Sequence, residues 1–343
     1  MKALKSIATA LVVGVSCVSA IPAQAETSQT LETVKKAGVL KCGSNGQLAG
    51  FSTVDSAGKW AGLDVDFCRA VAAAVLGDAD KAELVPMTPQ QRFPAIQSGE
   101  IQLLTHTVTA TLTREASVGM LFTKPIFYDG QAFMVKKSLG VASARELDGA
   151  SVCVKPGTVT EQNIADFARA NNIKLEPVVI EQQQQVVEAF LNDRCVAFTD
   201  DSTALASVRS EQGNPDDFAI LPEVLSKEPL SPAVRADDPR WFMIASWVRE
   251  GLVAAEELGV TQANVDDMKQ SQDPSIQRLL GTSGDLGTLL GLGNDWMYNA
   301  IKAVGNYGEI YERNVGTSSP LKQERGINEQ WKKGGLMYAN PLI

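Results

Sequence analysis

Histidine is almost missing from this chain: one residue, His106, stands among 343. That argues against a Ser-His-Asp hydrolase and against a metal site built on several imidazoles. Cysteine is sparse as well. Five are present and no two fall in a C-x-x-C spacing, so a zinc site finds no support in the pattern. Positive charge is in deficit, with 31 Lys plus Arg against 40 Asp plus Glu and a net charge of −9. Such a surface is not attracted to nucleic acid or to an anionic membrane. Beyond the first 25 residues, no uncharged run reaches the roughly 20 apolar residues that a bilayer span requires.

What remains is ordinary globular material, 44% hydrophobic and 21% charged. At about 150 residues per domain, the length suggests two domains, each able to bury a core. The first 25 residues stand apart. Lys2 and Lys5 precede an uncharged stretch from Ile7 to Ile21, and Ala23-Gln24-Ala25 supplies the small-x-small pattern cut by a signal peptidase. Residues 1–25 are therefore read as a cleavable signal peptide and the mature chain as soluble and periplasmic. Cleavage removes two lysines and no acid, leaving −11. Export places Cys42, Cys68, Cys153 and Cys195 in an oxidising compartment. Four cysteines allow three pairings. Cys42–Cys68 and Cys153–Cys195 keep each bridge local and are the expected disulfides.

The mature chain alternates strands and helices. Strands are expected at 39–42, 84–85 and 101–104, with a helix capped by Asp64 and stopped by Gly77, and a second helix over 90–98 stopped by Gly99. The same order returns with strands at 151–154, 177–180 and 195–198, a helix opened by Thr158, and a helix over 184–191. Alternation of this kind predicts mainly parallel sheets flanked by helices, one per lobe. Segments 131–135 and 228–234 are the expected crossings between lobes. The last third reads as helical, with its Trp, Met and Leu positions buried as core.

Five segments, taken together and in order, resemble one known family. They are GFSTVDSAGKWAGLDVDFCRAVAAAVLGD (50–78), RFPAIQSGEI (92–101), TLTRE (111–115), ELDGASVCVKPGT (146–158) and VTQANVDDM (260–268). The sequence resembles the periplasmic substrate-binding component of general L-amino-acid ABC uptake systems, in the polar-amino-acid solute-binding family. The resemblance covers nearly the whole mature chain. It implies a type II periplasmic-binding-protein fold, an α/β protein whose two lobes close over a ligand. Lobe 1 would comprise 26–135 and 232–343, and lobe 2 would comprise 136–231. It further implies a free L-amino acid as ligand, membrane permease subunits as partner, a monomer, no cofactor, no metal and no nucleic acid.

A free amino acid carries an α-carboxylate and an α-ammonium, and burying either without a partner is costly. Arginine suits the carboxylate, because its planar fork donates two parallel charge-assisted hydrogen bonds. By the resemblance, Arg114 in TLTRE binds the carboxylate, and the Gly157-Thr158 turn grips the same group from the opposite lobe through helix N-terminal amides. Asp201, at the carboxyl end of a strand, meets the ammonium. Asp200 beside it is expected to be a helix cap. Thr107 and Thr109 line the pocket from the first lobe, and Asn45 lies on its first loop.

The segment 105–111, THTVTAT, departs from the family's usual SRNTTWT: His106 replaces Arg, Thr107 replaces Asn and Ala110 replaces Trp. A less cationic pocket, larger or differently shaped, is the expectation on that side. His106 reads equally as a pocket residue or a satisfied structural one. Neutral, bulkier amino acids should then gain over Asp and Glu, with protonated His106 restoring acidic ligands at low pH. Two other readings stay open: an enzyme on the same fold, such as a dehydratase of an aromatic amino-acid precursor, and a sensory binding protein that docks on a receptor.

Overall fold

A computed structural model describes residues 28–343. The signal-peptide assignment to 1–25 lies outside the described residues. At the start, Ser28 accepts a hydrogen bond from the Leu31 N–H to open helix α1 (Gln29–Ala37), and Gly38 ends it in the left-handed region. Strand β1 (Leu40–Ser44) follows. A small antiparallel sheet of β2 (Gln47–Leu48), β3 (Ser52–Val54) and β4 (Trp60–Ala61) then leads into α2 (Leu63–Leu76). The start of α2 depends on Gly62, whose φ is 133° and where a Cβ would sit 2.0 Å from the Phe51 carbonyl oxygen. No side chain fits there. Asp64, expected as the cap, lies inside the first turn, and the capping position belongs to Gly62.

The first large sheet adds β5 (Ala82–Pro86), β6 (Leu103–Leu104) and β7 (Met120–Phe122), with α3 (Arg92–Ser98) and α4 (Leu112–Ala116) between them. Next, β8 (Phe127–Asp129) leads into the second sheet, which holds β9 (Gln131–Lys136), β10 (Ala150–Val154), β11 (Leu175–Val179), β12 (Ala197–Asp201) and β13 (Phe218–Ile220). Its helices are α5 (Val159–Asn171), α6 (Gln183–Leu191) and α7 (Ser202–Ser210). The return runs through β14 (Glu228–Leu230), paired antiparallel with β8, into β15 (Ala233–Arg235) of the first sheet. The strand orders are β5-β1-β6-β15-β7 and β11-β10-β12-β9-β13.

Both sheets are mainly parallel, as expected, with one strand reversed in each. In the first sheet β15 alone runs against the other four strands, and in the second β9 alone does. The reason is topological. The parallel strands end at the cleft, whereas β9 begins there on leaving the crossing, its Gln131 opposite Asp201. The expected boundary after residue 135 would cut β9 out of the sheet that holds it. The crossing lies instead at the β8–β14 ribbon.

Helix α8 (Pro239–Glu257) and the helix Trp296–Val304 pack with α2 on the first lobe, in a core holding Leu40, Val71, Trp241, Val248, Trp296 and Ile301. The second lobe has one apolar cluster around Phe190, Phe198 and Val208 and another around Phe133, Val152 and Ile164. Cys42 on β1 is bonded to Cys68 on α2, with their Cα atoms 6.3 Å apart, and Cys153 to Cys195 at 5.5 Å. Each bridge stays within one lobe, as the local pairing predicts.

Candidate functional site

Loops at the carboxyl ends of the parallel strands of both lobes enclose one polar cavity. All seven binding residues expected from the sequence line it: Asn45, His106, Thr107, Thr109 and Arg114 from the first lobe, Thr158 and Asp201 from the second. Local chemistry fixes each one. Thr111 caps α4 by accepting from the Arg114 N–H, which sets Arg114 in the first turn. Its Nη1 donates to the Thr109 carbonyl at 2.7 Å, and its guanidinium lies 5.1 Å from the Phe93 ring. Nε and Nη2 carry no hydrogen bond among the described residues. Burial lowers the Arg114 pKa to about 10, opposed by the negative Glu228 and Asp201.

Several hydroxyls are committed to the frame. Thr109 Oγ1 donates to Glu228 at 2.5 Å, and Thr158 Oγ1 donates to the Lys155 carbonyl at 2.7 Å while accepting from the Glu161 N–H. What the Thr158 turn can offer a ligand is therefore its backbone amides. Thr107 has φ of 45°, a left-handed conformation that costs a β-branched residue energy. Its N–H is held by the Asp64 carboxylate at 3.1 Å. The side chain of Asp64, misplaced as a cap, thus pins the pocket loop. Its pKa is raised to about 7 by burial, against that one hydrogen bond.

Asp201 ends β12, 7% exposed. Burial pushes its carboxyl well above the usual range, and Asp129, Asp200 and Glu228 nearby push further in the same direction. A cation brought beside it relieves both effects. Asp200 is not a helix cap: it forms an ion pair with buried Lys155 at 2.6 Å, while Asp201 itself occupies the capping position of α7.

His106 is buried and neutral. Its Nε2–H donates to the Met87 carbonyl at 2.7 Å, and burial next to Arg92 lowers its pKa to about 3. The expected restoration of acidic-ligand binding by protonated His106 has no basis in this arrangement. Ala110 does not enlarge the cavity either, because it packs against the apolar cluster of Val108 and Phe122.

Two charged residues that line the cavity, Arg92 and Lys155, were not singled out from the sequence, nor was Glu228, which accepts from Thr109 behind it. Arg92 begins α3, is 3% exposed, and stacks 5.0 Å from the Phe93 ring that Arg114 also meets. It donates to the His106 carbonyl at 3.4 Å and, across the cleft, to the Gly157 carbonyl at 3.3 Å. Its Nε makes no hydrogen bond among the described residues. Arg92 thus brings a positive charge to the cavity from another element. Arg92 was visible only as the first residue of RFPAIQSGEI, with nothing local to mark it as buried.

Residues 40–317 match the family of bacterial extracellular solute-binding proteins, family 3. The chain belongs to that family. It is 50% identical over 329 residues to the general L-amino acid-binding periplasmic protein of Rhizobium johnstonii, covering 95% of this chain and 96% of that one. It is 48% identical over 330 residues to the glutamate/glutamine/aspartate/asparagine-binding protein of Rhodobacter capsulatus, covering 96% and 98%. A Brucella ovis periplasmic binding protein, solved with glutathione bound, matches at 48% identity with a TM-score of 0.90, over 92% of this chain and 100% of that one. The fold of this family member is thus the two-lobed one of periplasmic binding proteins, and the protein is a solute-binding protein.

Proposed function

We propose that the protein is exported through its signal peptide, captures an L-amino acid by lobe closure without altering it, and delivers it as a monomer to the permease of an ABC transporter. One observation carries this reading: Arg114 from one lobe and Asp201 from the other line the same buried cavity. Arg114 takes the α-carboxylate together with the amides at the start of α5. Asp201 takes the α-ammonium. Each charge of the zwitterion then has a buried counter-charge, and the ligand touches both lobes only when they are closed.

The charge balance favours a side chain bearing a carbonyl. Lys155 is ion-paired with Asp200, and Arg114 is attracted by Glu228 and then Asp201, whereas Arg92 hydrogen-bonds only to carbonyls and an imidazole among the described residues. Its guanidinium suits a carboxylate or carboxamide oxygen. Aspartate, asparagine, glutamate and glutamine fit, in keeping with the name of the Rhodobacter relative. This reverses the expectation of a preference for neutral, bulky ligands.

Mass spectrometry of ligand released from freshly purified, denatured protein is expected to find one of these amino acids. Calorimetry on a panel of L-amino acids should rank them first. Recovery of a chemically altered amino acid after incubation would instead establish an enzyme. Amino-terminal sequencing of exported protein is expected to begin at Glu26.

A further inference from the structure

Beside the ligand cavity lies a second, outer chamber of about 150 Å³, also walled by both lobes. The two share Asn45, Pro89 and Lys155. Neither Arg114, Asp201, Thr158 nor Thr109 reaches the outer chamber. The chamber therefore opens from the end of the cavity away from the groups assigned to the α-carboxylate and α-ammonium. That is the end where a ligand's side chain must point.

Its walls carry peptide-like hydrogen-bonding capacity. Gln183 is 7% exposed and uses its Oε1 to accept from Lys155 Nζ at 2.8 Å, while its Nε2 is buried with no partner. A buried amide nitrogen left so is costly, and a carbonyl oxygen would satisfy it. Opposite in chemistry, Glu181 accepts from Thr88 Oγ1 through one oxygen at 2.8 Å. Its other oxygen makes no hydrogen bond among the described residues and could accept an N–H. A donor and an acceptor lining one chamber match the carbonyl and the N–H of an amide bond.

We infer that the outer chamber is a second subsite that receives the amide-linked extension of a ligand's side chain, so that the protein binds dipeptides joined through the side-chain carboxyl as well as free amino acids. This rests on the amino-acid reading of the inner cavity, which keeps the free α-carboxylate and α-ammonium of such a ligand in place. A dipeptide joined through the α-carboxyl would lack the group that Arg114 needs.

The test is calorimetry with L-glutamine, γ-L-glutamylglycine and α-L-glutamylglycine on the wild type and two variants. Gln182→Trp plugs the outer chamber from an exposed position that does not line the inner cavity. Gln183→Leu removes the unpaired donor. The wild type is expected to bind γ-L-glutamylglycine within about tenfold of L-glutamine and to refuse the α-linked isomer. Gln182→Trp should weaken γ-L-glutamylglycine at least tenfold while leaving L-glutamine within threefold, and Gln183→Leu should also weaken the γ-linked ligand more than L-glutamine. The subsite is overturned if L-glutamine binds but γ-L-glutamylglycine does not, or if the Gln182→Trp plug affects both alike or neither. Failure of every free L-amino acid to bind would instead remove the proposed function, whatever the dipeptides do.

Discussion

At the scale of single residues, the cavity is a balance of buried charges, and deletion of one should be felt more than deletion of a hydroxyl. Arg114→Ala and Asp201→Ala are each expected to cost at least about 2 kcal/mol in ligand binding, because each leaves one end of a buried zwitterion without its partner. Thr158→Ala should cost much less, since its hydroxyl already serves the Lys155 carbonyl and the Glu161 N–H. Calorimetry on the three variants checks the order. Either charged-residue variant binding within threefold of wild type would sink the assigned roles. Asp64 supplies a different test. Its pKa is raised to about 7 in the folded protein by burial, from 3.8. The unfolded chain then loses this proton first as pH rises. The contribution of Asp64 to stability is greatest below about pH 4, falls by on the order of 1 kcal/mol per pH unit up to about 7, and is flat above. Asp64→Asn keeps an oxygen for the Thr107 N–H without the ionisation. Its melting temperature should gain on wild type progressively from pH 4 to 7, and a constant difference would show that Asp64 does not titrate there.

At the scale of elements, the two disulfides tie strand to helix and strand to turn inside separate lobes, so reduction should loosen each lobe locally. Loops of 26 and 42 residues predict a contribution of about 3–4 kcal/mol per bridge. Reductant is expected to lower the melting temperature markedly, and an unchanged transition would contradict the bridges. The elements were mostly legible in the sequence, for a physical reason. Helices such as α2 and α3 end at Gly77 and Gly99, both in the left-handed region, and glycine placed after a periodic apolar run marks that stop directly. The site was legible where a residue's role depends on its own turn, as with Thr158 at the start of α5 or Asp201 at the end of β12. It was not legible where the role depends on distant partners. Arg92 is buried by His106 and Gly157, 14 and 65 positions away, and Glu228 is placed by Thr109 and Asn163 from two different lobes. No local pattern encodes such encounters. The same limit explains Asp64: an acid at a helix start reads as a cap, and only the approach of the 105–111 loop gives its carboxylate another partner.

At the scale of the whole molecule, function requires the lobes to part. In the closed arrangement the inner cavity retains about 30 Å³, room for little more than a water. An amino acid must therefore enter an open form and be enclosed afterwards. Contacts that join the lobes without lining the inner cavity set how favourable closure is. Thr88 on the first lobe donates to Glu181 on the second at 2.8 Å, and neither residue borders the inner cavity. Removing that hydroxyl with Thr88→Val keeps the side-chain volume and takes one part-buried, charge-assisted hydrogen bond from the closed state alone. Such a bond is worth about 1 kcal/mol net where partly solvated. Apparent affinity scales with the fraction of protein competent to hold the ligand, so a loss of this size raises Kd about fivefold. The loss should fall on dissociation rather than association, because the open form that meets the ligand is unchanged. It should also be the same for every free amino acid that binds, since no contact to ligand in the inner cavity has been altered. Stopped-flow kinetics with L-glutamate and L-asparagine on Thr88→Val and wild type can separate these outcomes. A change in the preference between the two ligands would mean that Thr88 acts on ligand recognition. An unchanged dissociation rate would mean that its bond to Glu181 does not hold the lobes together.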